Sequence, residues 1–180
     1  MRGRFIRRKA RTARGALLVL LVLPIFFLAP IALAAADAPE KADRIEVHKA
    51  DRTMTLLHDG KVLKTYKVAL SPVPVGAKER EGDHKVPEGL YIVDRKNPHS
   101  TFHLALHINY PNAADRARAR KLGVKPGGDI EIHGLGAKWG WVGAAHRQVD
   151  WTDGCIAVTN EEIDEIFPLV DVGTVVQIFP

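Results

Sequence analysis

What this 180-residue chain lacks first is a second cysteine: Cys155 stands alone, so no intramolecular disulfide braces the fold. No acidic residue occurs in the first 36 positions, and no cysteine stands at the end of the leading apolar run to receive a lipid. Internal repeats and low-complexity tracts are absent, which excludes solenoids and repeat arrays. Aromatic residues are scarce, at 7% of the chain. A single thiol in an exported protein needs a reason, and the ordinary one is a small buried hydrophobe.

The leader is where the positive charge collects. Arg2, Arg4, Arg7, Arg8, Lys9, Arg11 and Arg14 precede an apolar run from Ala16 to Ala36, and Ala34 and Ala36 are spaced like a small-x-small cleavage site. The run is also long enough to span a bilayer, although Pro24 and Pro30 would kink such a helix. Residues 1–36 therefore read as a cleaved signal peptide or an N-terminal membrane anchor, with the following domain facing the periplasm or cell envelope in either case. The whole chain carries a formal +5, so removing those seven charges leaves −2. The high pI is thus a property of the leader, and nucleic-acid binding is not expected.

Residues 37–43 read as a linker and residues 44–180 as one domain with one core. Alternation through Ile45, Val47, Met54 and Leu56, the turn His58-Asp59-Gly60-Lys61, and the β-formers of Val62 to Leu70 predict a β-meander. The stretch Ser71 to Gly76 breaks the pattern, and the charged segment Lys78 to Glu88 continues as a loop suited to the rim of a site. Strands are predicted at Leu90–Val93, Phe102–Asn109, Asp129–His133 and Val175–Phe179. Helices are predicted at Ala113–Leu122 and after a cap at Thr159 or Asn160. The glycines at 134, 136, 140 and 143 predict one long loop ending at Thr152-Asp153-Gly154-Cys155. The class is mainly β with short helices (α+β).

A thiol nucleophile needs a base, a group that orients the base, and donors for an oxyanion. His133 ends a predicted strand and precedes Gly134, while Cys155 follows Gly154, so both sit where strands meet loops. The N–H groups of Gly154 and Cys155 are candidates to face a developing oxyanion, since glycine lets the backbone approach a substrate closely.

Ile132-His133-Gly134, a glycine-rich gap, and Thr152-Asp153-Gly154-Cys155-Ile156 resemble the L,D-transpeptidase (YkuD-type) family, whose signature is His-Gly or His-Ser followed by Ser/Thr-x-Gly-Cys. Glu81-Gly82-Asp83-His84-Lys85-Val86-Pro87-Glu88-Gly89 is similar to the family's Gly-Asp-x-x-Thr-Pro-x-Gly loop, with Val86 at the threonine. The resemblance covers Arg44 to Pro180 and implies a mixed β-sandwich-like catalytic fold without metal or cofactor. It implies that Cys155 attacks the L,D-amide before a terminal D-Ala of a peptidoglycan stem peptide, forming a thioester that an amine acceptor resolves. Water as acceptor would make the protein an L,D-carboxypeptidase or amidase, and a degenerate domain would only bind the peptide. The resemblance also implies that His133 is the general base and acid, that the Gly134 carbonyl orients its ring, that Thr152 fills the Ser/Thr position, and that a carbapenem acylates Cys155. Asp153 and Ala157 stand where many members have His and Arg, and the run Thr-Asp-Gly-Cys-Ile-Ala is similar to one subgroup.

Thr152, Asp153 and Trp141 are the substrate-contact candidates, Trp141 being preferred over Trp139 and Trp151 as the groove-lining tryptophan. Asp153 is also expected to raise the pKa of both Cys155 and His133. His103 and His107 have the spacing of a helical metal pair, but the alternation around them predicts a strand, so no metal site is expected. His146, Arg147, His84 and Lys85 read as solvated loop residues.

Overall fold

The computed structural model describes residues 39–180, so the signal or anchor segment lies outside the described residues. Eight strands form one curled sheet in the order β3-β2-β1-β8-β4-β5-β6-β7, joined by three short helices. The mainly β, α+β expectation holds. Among the described residues no helix is long and apolar enough to cross a membrane.

The meander is built as expected from β1 (Ala42–His48), β2 (Thr53–His58) and β3 (Lys61–Lys67). Asp59 and Gly60 both have positive φ, the conformation that a two-residue hairpin turn requires. Ile45, Val47, Met54 and Leu56 are fully buried and alternate with outward residues, which fixes the register against the core. The strand β8 (Val170–Phe179) lies at the centre, parallel to β1 and antiparallel to β4 (Gly89–Ser100). Beyond β4 come β5 (His103–Ile108), β6 (Glu131–His133) and β7 (Ile156–Ala157).

Helix α1 (Ala113–Leu122) starts at a reciprocal capping box between Asn112 and Asp115 and stops at Gly123 in the left-handed conformation. Helix α3 (Asn160–Leu169) is capped in the same way by Thr159 and Glu162, and buries Ile163, Ile166 and Leu169. Each fully buried isoleucine contributes about 2 kcal/mol of transfer free energy, so this face holds α3 on the sheet beneath the ends of β5 and β8.

Three expectations are corrected. The glycine-rich segment after β6 is not one long loop: α2 (Gly136–Trp139) and a 3₁₀ stretch (Gly140–Gln148) occupy it, with a break at Gly143. Strand β4 continues through the polar run Asp94–Ser100, where register shifts against β5 erase the two-residue alternation. Strand β8 begins at Val170 rather than Val175.

Candidate active site

Two short parallel strands bring Cys155 and His133 together. In the β6–β7 ladder Ile132 pairs with Ile156 and His133 with Ala157. Extending that register back one residue sets Cys155 across from Glu131. Side chains two residues apart share a face, so Glu131 and His133 on β6 and Cys155 at the head of β7 belong to one face. The methyl of Ala157 stands directly beside His133 in this register.

His133 is buried, at 2% exposure. Its Nδ1 lies 2.6 Å from the carbonyl oxygen of Gly134. A carbonyl only accepts, so Nδ1 carries the proton and Nε2 presents its lone pair. Burial pushes the imidazole below its ordinary pKa, partly offset by the Gly134 hydrogen bond. The ring is flanked by Phe102, with centroids 4.4 Å apart, and by Trp151 at 6.0 Å. Gly134 admits no side chain, because a Cβ there would lie 2.7 Å from Asn160 Oδ1 and 2.9 Å from the Phe102 carbonyl.

The Cys155 thiol is half-buried and donates to the Asp129 carbonyl at 3.6 Å. Burial pushes its pKa up to about 11; a backbone hydrogen bond at Glu131 opposes this, and the carboxylates of Glu131, Asp153 and Asp129 add to it. At neutral pH the pair is therefore thiol and neutral imidazole, and ionising the sulfur requires a proton acceptor in place.

The turn before the cysteine is fastened on several sides. Thr152 Oγ donates to the Cys155 carbonyl at 2.8 Å and accepts from the Gly154 N–H at 3.3 Å. Thr152 is thus a buried clamp of the turn, at 3% exposure, and not a wall of the cleft. The same bond engages the Gly154 N–H, one of the two donors expected to face an oxyanion. Gly154 has φ +120°, and a Cβ there would approach the Lys85 carbonyl to 2.7 Å. The loop Lys78–Glu88 is consequently pressed against the turn that precedes Cys155. It is ordered by Asp83, which accepts from Lys78 Nζ at 2.8 Å and from the N–H groups of Glu79, Arg80 and Lys85. Upstream, Asp150 accepts from the Leu70 N–H at 2.9 Å and pairs with Arg52 at 2.7 Å, while the Leu70 carbonyl takes the N–H groups of Trp151 and Thr152.

Asp153 is 89% exposed and hydrogen-bonded to His84 Nδ1 at 2.9 Å. It adds to the rise at Cys155, but the shift at His133 comes from burial, so the joint effect expected from sequence reaches only the thiol. Trp141 stands at the surface, 81% exposed, outside the pocket beside the histidine. That pocket, about 460 Å³, is walled by Trp139 and Trp151 together with Phe102, Leu135, Val142, Ala145, His146 and Val149. The sequence reading passed over Glu131 and took His146 for a solvated loop residue, whereas its ring is buried. The two-residue period linking Glu131 to His133 was the available signal for the first; the second needed the helical turns that the glycines concealed. His103 and His107 lie on a strand, which puts residues four apart about 13 Å from one another, and each pairs with its own carboxylate, Asp164 and Asp94.

A buried neutral imidazole with a fixed tautomer, on the same sheet face as a lone thiol, marks a candidate cysteine–histidine acyl-transfer centre. A family model described as the L,D-transpeptidase catalytic domain, YkuD, matches residues 42–178, and the chain belongs to that family. YafK of Escherichia coli K12, by name a candidate L,D-transpeptidase, is 35% identical over 133 residues, covering 70% of this chain and 46% of that protein. The chain thus spans about half the length of the curated relatives it matches. Among solved structures, the helical cell shape determining protein Pgp2 of Campylobacter jejuni superposes with a TM-score of 0.57 at 28% identity, covering 75% of this chain and 46% of that one. An L,D-transpeptidase of Xylanimonas cellulosilytica shares the fold, with a TM-score of 0.53 at 14% identity over 79% of this chain and 62% of that one.

Proposed function

We propose that the protein catalyses L,D-transpeptidation of peptidoglycan stem peptides through a Cys155 thioester, in the cell envelope. The observation that carries this reading is the His133 ring, fixed by the Gly134 carbonyl with Nε2 free to accept, on the sheet face that also carries Cys155. His133 Nε2 takes the Sγ proton as sulfur adds to the amide carbonyl of the donor peptide. The tetrahedral intermediate collapses when Nε2–H protonates the departing amine, leaving the acyl group on sulfur. An acceptor amine then gives its proton to Nε2, adds to the thioester and releases the thiol. The Cys155 N–H is the proposed oxyanion donor. Asp153 is the proposed contact for a cationic amine of the donor or acceptor. Family membership supports the reaction, and the resemblance of YafK and Pgp2 supports a role in the wall. The basic, apolar leader supports export by a signal peptide or an anchor.

Incubating the purified domain with muropeptides and reading products by mass tests the proposal. Cross-linked dimers are expected from the wild type and none from Cys155→Ala, which loses the nucleophile with little change in packing. Shortened monomers would make the protein a hydrolase, and wild-type turnover by the alanine variant would refute the mechanism. A carbapenem should add its intact mass to Cys155 and leave Cys155→Ala unmodified.

A further inference from the structure

The pocket beside His133 carries an unassigned recognition problem. Phe102, Trp139 and Trp151 present partly exposed faces around it, an uncommon amount of aromatic surface to leave against water. Its volume, about 460 Å³, lies in the range of small-ligand clefts. No formally charged side chain lines it, so a charged diamino acid or a carboxylate would lose its hydration there without a partner.

His146 is its one polar wall residue of consequence. The ring is 7% exposed, and Nδ1 accepts from the Trp151 indole N–H at 3.4 Å. An indole N–H only donates, so the neutral ring carries its proton on Nε2. Nε2 is enclosed and has no hydrogen-bond partner, so it is an unsatisfied donor that only a group pressed against the pocket wall would meet. Burial first, and the neighbouring Arg147 second, lower its pKa to about 4, so the ring stays neutral at working pH. The pocket thus offers flat apolar faces and small apolar groups in Val142, Ala145 and Val149, with one neutral, unsatisfied donor enclosed in its wall.

We propose that this pocket is a subsite for an N-acetylated amino sugar of the glycan strand, with the pyranose face on the indoles, the acetamido carbonyl accepting from His146 Nε2–H, and the acetyl methyl against Val142 and Val149. This rests on the peptidoglycan reading above. Phe102 and Trp151 flank both the pocket and His133, so a sugar held there lies next to the reacting peptide.

The experiment uses Cys155→Ala protein, so that binding is read without turnover. A β-1,4-linked N-acetylglucosamine trimer should change tryptophan fluorescence saturably and move the His146 side-chain 15N resonances. The deacetylated trimer should bind about tenfold more weakly, and Trp139→Ala, altering an exposed position, should weaken the acetylated trimer by about as much. Absence of binding, equal binding of both trimers, or unmoved His146 resonances would overturn the proposal, as would a sugar-free stem peptide that competes for the pocket. The two readings fail separately. Trimer binding by a protein whose wild type leaves muropeptides unchanged sinks the acyl-transfer reading alone; turnover without trimer binding sinks the sugar subsite alone.

Discussion

Glu131 sits across from Cys155 in the register of the two short strands, and replacing it with glutamine should lower the thiol pKa. Neighbouring strands lie about 4.8 Å apart, which places a carboxylate on the same face about 6 Å from the sulfur. At an effective dielectric of roughly 20 to 40, one charge at that distance is worth about 1.4 to 2.8 kcal/mol, or about one to two pKa units. The thiol starts from about 11 chiefly through burial, which Glu131→Gln leaves in place, so the shift should fall at the lower end of that range and bring it to about 10. The sign is unambiguous, because a negative neighbour disfavours a second negative charge. Burial also raises the Glu131 carboxyl's own pKa, with His107 and Arg95 opposing, so the effect weakens as pH falls through that raised value. Iodoacetamide alkylation of Cys155, followed by mass from pH 6 to 11, reads the thiolate fraction without any substrate. Asp153→Asn is the control: its carboxylate is exposed and bound to His84, so solvent screening should make its shift smaller. An unmoved alkylation profile in Glu131→Gln, or a larger shift in Asp153→Asn, would refute the electrostatic account.

Gly154→Ala should lose thiol reactivity and lower the melting temperature by about 5–10 °C, since the new Cβ meets the Lys85 carbonyl in a left-handed region; calorimetry and alkylation check both. Asp83 is pushed up by burial, but Lys78 and three backbone N–H groups outweigh this and hold it at about 2. A depressed carboxyl stabilises the fold above its unfolded value near 3.8 and loses that contribution as pH falls towards 2. Asp83→Asn should therefore cost about 2 kcal/mol at pH 7 and less below pH 3, as measured by urea unfolding.

The meander, both long helices and the strand ends bearing His133 and Cys155 were legible because each announces itself locally. Ile45 and Val47 alternate, Asn112 and Thr159 begin capping boxes, and Asp59-Gly60 suits one kind of turn. The segment from Gly134 to Gln148 was not legible. Its glycines serve close approaches, as at Gly134 against Asn160, while the backbone between them still coils; composition cannot separate the two uses. Thr152 read as a substrate contact because sequence shows a hydroxyl beside the cysteine but not that the turn consumes both its hydrogen bonds. Glu131 was overlooked because its importance comes from a pairing with a strand 24 residues further along the chain.

The position of β8 makes one strand the main seam of the sheet. The ladder β3-β2-β1 and the ladder β4-β5-β6-β7 are joined along their strands by Val170–Phe179, with a second tie where Ala69, just past β3, bridges Ala157 on β7. Without that strand β1 and β4 would each present an unpaired edge, and only the Ala69–Ala157 bridge and the bonds of Arg52 and Leu70 would hold the first ladder to Asp150 and the cysteine's turn. A proteolytic cut just before Val170 is therefore expected to loosen the turn before Cys155 without touching it.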